Sequence, residues 1–495
     1  MIHALHSPGS TTCVVMGGQI RDWESELNSY SRILWCIDAQ DFDRSSSQFT
    51  SAKIRVLIIG NNNSNFVQVI EEFIQHNGRS LPCIFVHEQV LAHSNESYLS
   101  ALTDIQSVFG ENHRARITRQ KDGFLWQSHV LQNLSHYVSR RVPGNWHNAL
   151  AGLPAFVCGA GPSLDVTAPL ISKHQKGAVI FAADSSLRTL HRHGVCADFA
   201  VSIDVAKRPE KCLPADGRVQ RVILAPTSFP TWVGAVNLDD CYFLTSGQVT
   251  TDWLSANGVA PTELLARENC GNTALELAHY LGCAPIYLFG LDLALDNSNS
   301  MQRHTAAVDA TLYSKSGFEA EQNHPTVPGN YAETVPTFAE ADWRSLDQRL
   351  SSWPASLVTN VNDRGARFSN TTLVHPDRFI FSNTTGEKNE RLAQLSLPAP
   401  SEIAASTAVN RIGDSLSVAS KQIQALHSSF NQRGSLGALD FFRQLMIKED
   451  MQIAFGAFTF KILPHLIDPI DDNSTNWAEL IREFEALAQI TIEQT

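Results

Sequence analysis

The sequence contains no long hydrophobic run, no metal-binding cysteine spacing and no excess of positive charge. No segment reaches the ~18 consecutive apolar residues of a membrane span, and the N-terminal residues lack the basic and apolar regions of a secretory signal. The nine cysteines include no Cys-x-x-Cys pair and no Cys/His zinc spacing. We therefore expect a cytoplasmic protein with reduced thiols, no membrane span and no bound metal.

Composition sets the broad class of protein. The 50 acidic residues outnumber the 38 basic ones and give a formal charge of −12, which would repel nucleic acid or an anionic lipid surface. A chain of 495 residues, 43% of them hydrophobic, is typical of a globular protein with roughly three domains. We therefore expect no nucleic-acid partner, although a local basic pocket for one nucleotide stays possible.

The pattern of apolar runs predicts an α/β fold. Helix-like segments alternate with short apolar runs that are typical of buried parallel strands, and these runs lie at 32–39, 53–60, 81–87, 178–184, 198–204, 222–226, 242–246 and 285–291. The last hundred residues instead have helical spacing. We predict an N-terminal α/β domain (1–120) with a parallel sheet, a helical connection (121–150), a doubly wound, Rossmann-like catalytic domain (151–395) and a helical C-terminal domain (396–495).

A glycine-rich turn follows one of these apolar runs. Residues 155–158 lead into Gly159-Ala160-Gly161-Pro162-Ser163, which opens an amphipathic segment. Glycines without a Cβ let backbone N–H groups approach a ligand, and the start of a helix attracts anions. The turn therefore predicts a phosphate site, although an ordinary tight strand–helix connection has the same sequence pattern.

Three aspartates follow predicted strands, and ligands of parallel sheets bind beyond the carboxyl ends of their strands. They are Asp184, Asp204 and Asp292. Asp184, with Ser185 beside it, stands close to the ~20-residue offset from the turn at which an acid contacts a nucleotide ribose. Each aspartate alone would be explained by capping of the next turn, but the three together favour a site.

Further polar residues lie near these strand ends. Asn272 and Thr273 open a predicted helix, where they either hold a phosphate or sugar carboxylate or form a simple N-cap. His304 follows Asp292 in a polar loop and is a candidate general base or acid, with a pKa suited to neutral pH. His324 or an aspartate is an alternative base. Lys207 and Arg208 follow Asp204 and could neutralise a phosphate, although a solvated pair on the surface is the default explanation.

Several motifs together resemble the motility-associated factor (Maf) family of bacterial flagellin glycosyltransferases. They are GAGPSLD (159–165), AADSS (182–186), GVCADF and VSID (194–204), LGCAPIYLFGLDLA (281–294), VPGNY (327–331), VPTF (335–338) and NDRGAR (362–367). The chain departs from the family pattern at Asn272-Thr273 and at Leu291.

The resemblance implies a sialyltransferase-like central domain. The implied reaction is transfer of a nonulosonic acid of the pseudaminic or legionaminic type from a CMP-activated donor to Ser or Thr hydroxyls of flagellin. For such a reaction, the predicted catalytic residues are Asp204, Asp292 and His304, and the predicted nucleotide contacts come from residues 159–163, Asp184, Ser185, Asn272, Thr273 and Gly290. No cofactor beyond this donor substrate is expected.

Two other functions fit the same sequence. One is a pterin pyrophosphokinase that moves diphosphate from ATP, which would require Mg²⁺ held by Asp184, Asp204 or Asp292. The other is a non-catalytic homologue that binds flagellin as an assembly factor. Both stay open on the residues alone.

Overall fold

The structure is a computed structural model of the chain. It describes residues 2–5, 12–18, 27, 30–39, 41–42, 53–59, 66–75, 82–87, 90, 97–98, 100–101, 104–105, 122–213, 219–246, 248–259, 262, 264–296, 301–306, 324–382, 386–395, 402–446, 448–467 and 476–492. The chain forms two compact units, Met1–Asp122 with Ile467–Asp471, and Gly123–Leu466 with Asp472–Thr495. The linker that the prolines predict at 396–401 lies outside the described residues.

The smaller unit is built around a five-stranded sheet. Its strands are β1 (Ile2–Leu5), β2 (Thr12–Met16), β3 (Arg32–Asp38), β4 (Ile54–Ile59) and β5 (Cys83–Val86), in the order β1-β5-β2-β3-β4. Helix α1 (Phe66–Gln75) follows β4 along the chain. The prediction of a parallel sheet is wrong at one edge, because β1 pairs antiparallel with β5.

The larger unit contains an eight-stranded sheet, and all of its neighbouring strands are parallel. Its order is β10-β9-β8-β7-β6-β11-β14-β15. The strands are β6 (Ala155–Cys158), β7 (Val179–Ala183), β8 (Ala197–Ser202), β9 (Val219–Leu224), β10 (Cys241–Phe243), β11 (Ile286–Phe289), β14 (Val358–Val361) and β15 (Thr372–Val374). Strands β12 (Thr326–Pro328) and β13 (Thr334–Pro336) form a separate hairpin.

Helices cover both faces of this sheet. They are α2 (Leu134–Ser139), α3 (Leu164–His174), α4 (Leu187–Arg192), α5 (Pro209–Cys212), α6 (Trp232–Ala235), α7 (Val249–Ala256), α8 (Cys270–Tyr280), α9 (Glu340–Ser351), α10 (Lys388–Ala393), α11 (Glu402–Lys421), α12 (Ile423–Arg433), α13 (Ser435–Met446), α14 (Glu449–Ile467) and α15 (Trp477–Ala488). None of the helices in the described part of the chain has the length and apolar character needed to cross a membrane.

Alternation along the strands divides the core into two layers. Phe156 and Ile180 pack on one face with α3, α4 and the C-terminal helices, while Val157 and Phe181 pack on the other with α8 and α9. Strands buried on both faces are apolar at nearly every position, which is why their sequences were recognisable. The predicted doubly wound, Rossmann-like fold is confirmed.

A buried glutamine side chain stabilises a kink in α14 through hydrogen bonds. The helix departs from helical geometry at Gly456, where Gln127 Nε2 donates to the Ala454 carbonyl at 2.8 Å and Gln127 Oε1 accepts from Ala457 N at 2.9 Å. Thr250 Oγ1 donates to the Ile453 carbonyl at 2.7 Å. Backbone groups left over by the kink thus find side-chain partners, as buried polar groups must.

Candidate functional site

The glycine-rich turn lies where the strand order of the large sheet reverses. Strands β6 to β10 succeed one another to one side of β6, and β11 then lies on its other side. A reversal of this kind leaves a crevice at the carboxyl ends of the strands, where ligands of doubly wound folds bind. The turn at 159–163 and the segment 290–292 both begin at this point.

The two segments are in direct contact, and their glycines make the contact possible. Gly159 N donates to the Phe289 carbonyl at 2.8 Å and Gly161 N to the Gly290 carbonyl at 2.7 Å. A Cβ on Gly161 would lie 2.5 Å from Asp292 Oδ2. Gly290 has a φ of +64°, and its Cβ would lie 2.7 Å from the Gly159 carbonyl oxygen. These glycines therefore serve loop packing, a reason that the sequence did not reveal.

Asp292 holds the start of α3. Its carboxylate accepts hydrogen bonds from Ser163 N at 2.8 Å, from Ser163 Oγ at 2.5 Å and from Asn362 Nδ2 at 2.8 Å. Burial raises the pKa of Asp292, and the bonds from Ser163 and Asn362 oppose this rise. The carboxylate is 2% exposed and accepts hydrogen bonds on both oxygens, so it holds the start of α3 in place; its catalytic role stays a prediction.

We expected the backbone N–H groups of the turn to be open to a ligand, and the geometry corrects this expectation. Of the four N–H groups at 159, 160, 161 and 163, three already donate to Phe289, Gly290 and Asp292. The positive end of α3 faces a carboxylate of the protein itself, which occupies the position that an anionic ligand would take. A phosphate at this turn would thus depend chiefly on neighbouring side chains.

Asp184 and Ser185 lie beside such a side chain. Asp184 is buried and accepts from Ser185 N at 2.6 Å and from Ser202 Oγ at 2.8 Å. Burial raises the pKa of Asp184. The positive charge of Lys207 opposes this rise, and the negative charge of Asp204 adds to it. Lys207 Nζ donates to Ser185 Oγ at 3.1 Å.

Asp204 is exposed at the end of β8, and its Oδ1 accepts from Ala206 N at 2.8 Å. The charge interaction between Asp184 and Asp204 places both near Lys207. Asp292 instead contacts Ser163 and Asn362. Of the three predicted acids, only Asp184 and Asp204 therefore belong to the charged group around Lys207.

His304 reaches the glycine-rich turn from a separate loop. The adjacent Thr305 N donates to the Ala160 carbonyl at 2.9 Å, and Thr305 Oγ1 lies 2.8 Å from Thr189 Oγ1. Burial and the positive charges of Arg303 and Lys207 lower the pKa of His304 to about 3, despite a hydrogen bond to the Ala160 backbone. The expectation of a pKa near neutrality is therefore wrong, and the imidazole is uncharged at pH 7.

The turn that contains Asn272 and Thr273 has a structural role at the start of α8. The N-cap of α8 is Asn269, not Asn272, because Asn269 Oδ1 accepts from Asn272 N at 2.9 Å. Asn272 Nδ2 donates to Glu268 Oε2 at 3.1 Å, and Thr273 Oγ1 donates to the Asn269 carbonyl at 2.9 Å. Both side chains are fully buried, so the structure offers no support for their predicted nucleotide contacts.

A cleft opens on the Asp292 side of the turn. It has a volume of about 290 Å³ and is lined by Pro162, Asp292, Ala294, Leu295, Asp296, Tyr331, Ala332, Thr334, Val335, Asp363, Arg364 and Gly365. Sequence reasoning assigned no site role to the residues after β14, because β14 is short and carries polar side chains. A signal was available in Asn362, Asp363 and Arg364, which directly follow a strand that pairs with β11.

Within the described ranges, no three His, Cys, Asp or Glu side chains are grouped so as to hold a metal ion. The oxygens of Asp184 and Asp292 instead accept hydrogen bonds from serines of the protein. His324 lies two residues before β12.

The fold and the site define a doubly wound α/β protein with a polar crevice at its switch point, and comparison with known proteins adds detail. Residues 128–298 match the model of a family described as 6-hydroxymethylpterin diphosphokinase MptE-like. Among solved structures, the chain is similar to the Maf glycosyltransferase from Magnetospirillum magneticum AMB-1, with a TM-score of 0.61 and 16% identity. That match covers 97% of this chain and 78% of the other. No match was found among curated proteins.

The similarity confirms the predicted resemblance to the motility-associated factor family as a likeness in fold. It extends over nearly the whole chain rather than over the central domain alone.

Proposed function

We propose that the protein is a glycosyltransferase that transfers a nonulosonic acid from a CMP-activated donor to Ser or Thr hydroxyls of flagellin in the cytoplasm. The observation that carries the proposal is the group of Lys207, Arg303 and His304 at the Ala160 end of the glycine-rich turn, in a fold shared with a Maf glycosyltransferase. The nature of the donor and acceptor rests on the sequence motifs.

The charges of this group suit a nucleotide sugar. Lys207 and Arg303 both act electrostatically on His304, so two cations lie close to one ring at the mouth of the turn. A leaving phosphate develops negative charge as the sugar departs, and preorganised cations stabilise that charge most in the transition state. Lys207 is the residue we assign to the phosphate, with Ser185 fixing its ammonium group.

The reaction needs one proton acceptor. The acceptor oxygen bonds to the anomeric carbon while the bond from that carbon to the CMP phosphate breaks, and the hydroxyl proton passes to a base. The exposed Asp204 carboxylate and the uncharged His304 ring are the two candidates. His304 gains basicity when a phosphate dianion offsets the charges of Arg303 and Lys207.

A second candidate has a specific observation in its favour. The match of residues 128–298 to an MptE-like family supports diphosphate transfer from ATP to a pterin. Such a reaction would require Mg²⁺ to offset phosphate charge, and the serine contacts of Asp184 and Asp292 argue against them as its ligands.

Mass spectrometry of flagellin separates these functions. Purified protein is incubated with flagellin and a CMP-activated nonulosonic acid, and we expect a flagellin mass increase of one sugar. Lys207→Met should abolish the increase, whereas Lys173→Met, an exposed lysine at the far end of α3, should retain it. Metal-dependent AMP release from ATP with a pterin would instead support the kinase, and a stable flagellin complex without either product would support a non-catalytic binder.

A further inference from the structure

The cleft beside Asp292 differs in charge from the Lys207 side of the turn. Its charged lining beyond the buried Asp292 consists of two carboxylates, Asp296 and Asp363, against one guanidinium, Arg364. Arg364 donates from Nε to Asp363 Oδ1 at 2.9 Å and from Nη2 to Asp363 Oδ2 at 2.7 Å, and Nη1 donates to Asp296 Oδ2. The formal balance is thus negative, which disfavours an anionic ligand.

The same cluster offers fixed hydrogen-bonding groups. A guanidinium has five N–H donors, and three of those of Arg364 go to the two aspartates. Each carboxylate oxygen has two lone-pair positions, and each oxygen of Asp363 accepts one bond from Arg364. The cleft therefore presents donors and acceptors side by side, held rigidly by the ion pairs, as recognition of neighbouring hydroxyl groups requires.

Tyr331 supplies an apolar surface next to this cluster. The residue is 54% exposed, yet its Oη donates to the Asn362 carbonyl at 3.1 Å, which fixes the ring in place. Its ring lies edge-on to His375, with 5.8 Å between ring centroids. An exposed aromatic side chain that is held by its own hydroxyl is a ready platform for an amphipathic ligand.

The remaining lining is small and apolar, from Pro162, Ala294, Val335 and Gly365. A volume of about 290 Å³ is at the lower end of ligand pockets. Together with the aromatic platform and the paired donors and acceptors, this size suits a single ring with one apolar face and several hydroxyls.

We propose that the Tyr331–Arg364 cleft binds an uncharged, hydroxyl-rich ring of monosaccharide size. The inference rests on the proposed function for its biological meaning, because Pro162 of the glycine-rich turn lines the cleft and places the ring next to the site of sugar transfer. The ring belongs to a neutral sugar on the acceptor side, because the donor proposed above is an acidic sugar. An acidic sugar is excluded from this cleft by Asp296 and Asp363.

Saturation-transfer NMR with the full-length protein tests the cleft. The probe is the methyl glycoside of N-acetylglucosamine at millimolar concentration, and N-acetylneuraminic acid serves as the acidic comparison. We expect saturation transfer to the neutral glycoside, about tenfold weaker binding for Tyr331→Ala, and unchanged binding for Lys173→Met, at an exposed lysine. Tyr331→Phe, which keeps the ring, should retain most of the signal. Asp363→Asn should weaken binding of the neutral glycoside while admitting the acidic sugar.

The CMP-activated nonulosonic acid tests whether the ring lies on the acceptor side. If the glycoside stays bound in the presence of CMP or of this donor, its site is separate from the donor site, as the inference requires. Displacement of the glycoside by the donor, but not by CMP alone, would place the acidic donor sugar in the cleft and overturn the inference. Absence of any signal from the neutral glycoside, equal binding of the acidic sugar by the unmodified protein, or a signal that persists in Tyr331→Ala would each overturn the inference. CMP binding is recorded in the same samples, so a failure of the nucleotide site is seen separately.

Discussion

Acid should weaken the structure around the start of α8 through protonation of Glu268. Its carboxylate accepts from Arg349 Nη1 at 2.8 Å, from Arg349 Nη2 at 2.9 Å and from Ser345 Oγ at 2.5 Å. Burial raises the pKa of Glu268, but these bonds and the charge of Arg349 outweigh burial and lower the pKa from 4.5 to about 2. The bidentate pair joins the loop before α8 to helix α9.

The sign and size of the effect follow from linkage. Because the folded pKa lies below the unfolded one, the stabilisation is complete above pH 4.5 and is lost as the pH falls toward 2. A fully buried group with this shift would contribute about 3 kcal/mol, but Glu268 is exposed and solvent screens its charge, so we expect about 1 kcal/mol. About half of this contribution is lost by pH 3.

Urea unfolding of the protein and of Glu268→Gln, read by hydrogen exchange in the peptide 264–281, measures this contribution. This local readout is needed because a chain of two compact units has no single unfolding transition. The stability difference between the protein and the variant should shrink by about 0.6 kcal/mol between pH 7 and pH 3. Glu210→Gln, at an exposed glutamate, should show no such change. A difference that stays constant with pH would refute the assignment of the pKa shift to Glu268.

Three further outcomes are expected. Asp204→Asn should lower kcat by about a hundredfold or more if Asp204 is the base, with the unfolding midpoint unchanged because the side chain is exposed; an unchanged kcat would leave His304 as the base. Gly161→Val should destabilise the larger unit by about 1–3 kcal/mol or more, since its Cβ would meet the Asp292 carboxylate at 2.5 Å, and should abolish CMP binding in calorimetry; a variant with full stability and affinity would contradict the packing described for the turn. Burial and the charges of Arg303 and Lys207 lower the pKa of His304 to about 3. The pH–rate profile of the free enzyme should therefore have no limb near pH 6.5 that is due to His304. A limb near pH 6.5 that His304→Ala removes would contradict this pKa.

The sequence predicted the central sheet where burial alone sets residue choice. Strands β6, β7 and β11 are apolar on both faces, and their positions were recognisable for that reason. Strands β14 and β15 were missed because Thr359, Asn360 and Thr372 interrupt the apolar pattern on short strands near the edge of the sheet. Periodicity does not reveal a strand whose position is set by its neighbours.

The sequence indicated where the three aspartates lie on the sheet but not what they contact. Aspartates at strand ends indicate the correct edge of a parallel sheet, but the direction of each carboxylate depends on contacts far away in the sequence. Asp292 turns toward Ser163, 129 residues earlier, and the Asn269 cap of α8 lies three residues before the predicted Asn272. Local spacing carries no information on such partners, which explains why the contacts of these residues differ from expectation.

The bond between Gln127 and the kink at Gly456 has a consequence for how the protein is made. Two of its partners, Ala454 and Ala457, are 327 and 330 residues further along the chain. These bonds form only after nearly all of the chain has been made, whereas the bond from Gln127 Nε2 to Thr250 Oγ1 spans 123 residues. Such distant pairing slows folding and prolongs exposure of apolar surface. A nascent chain in which residue 457 has not yet been made should therefore depend on chaperones until synthesis is complete.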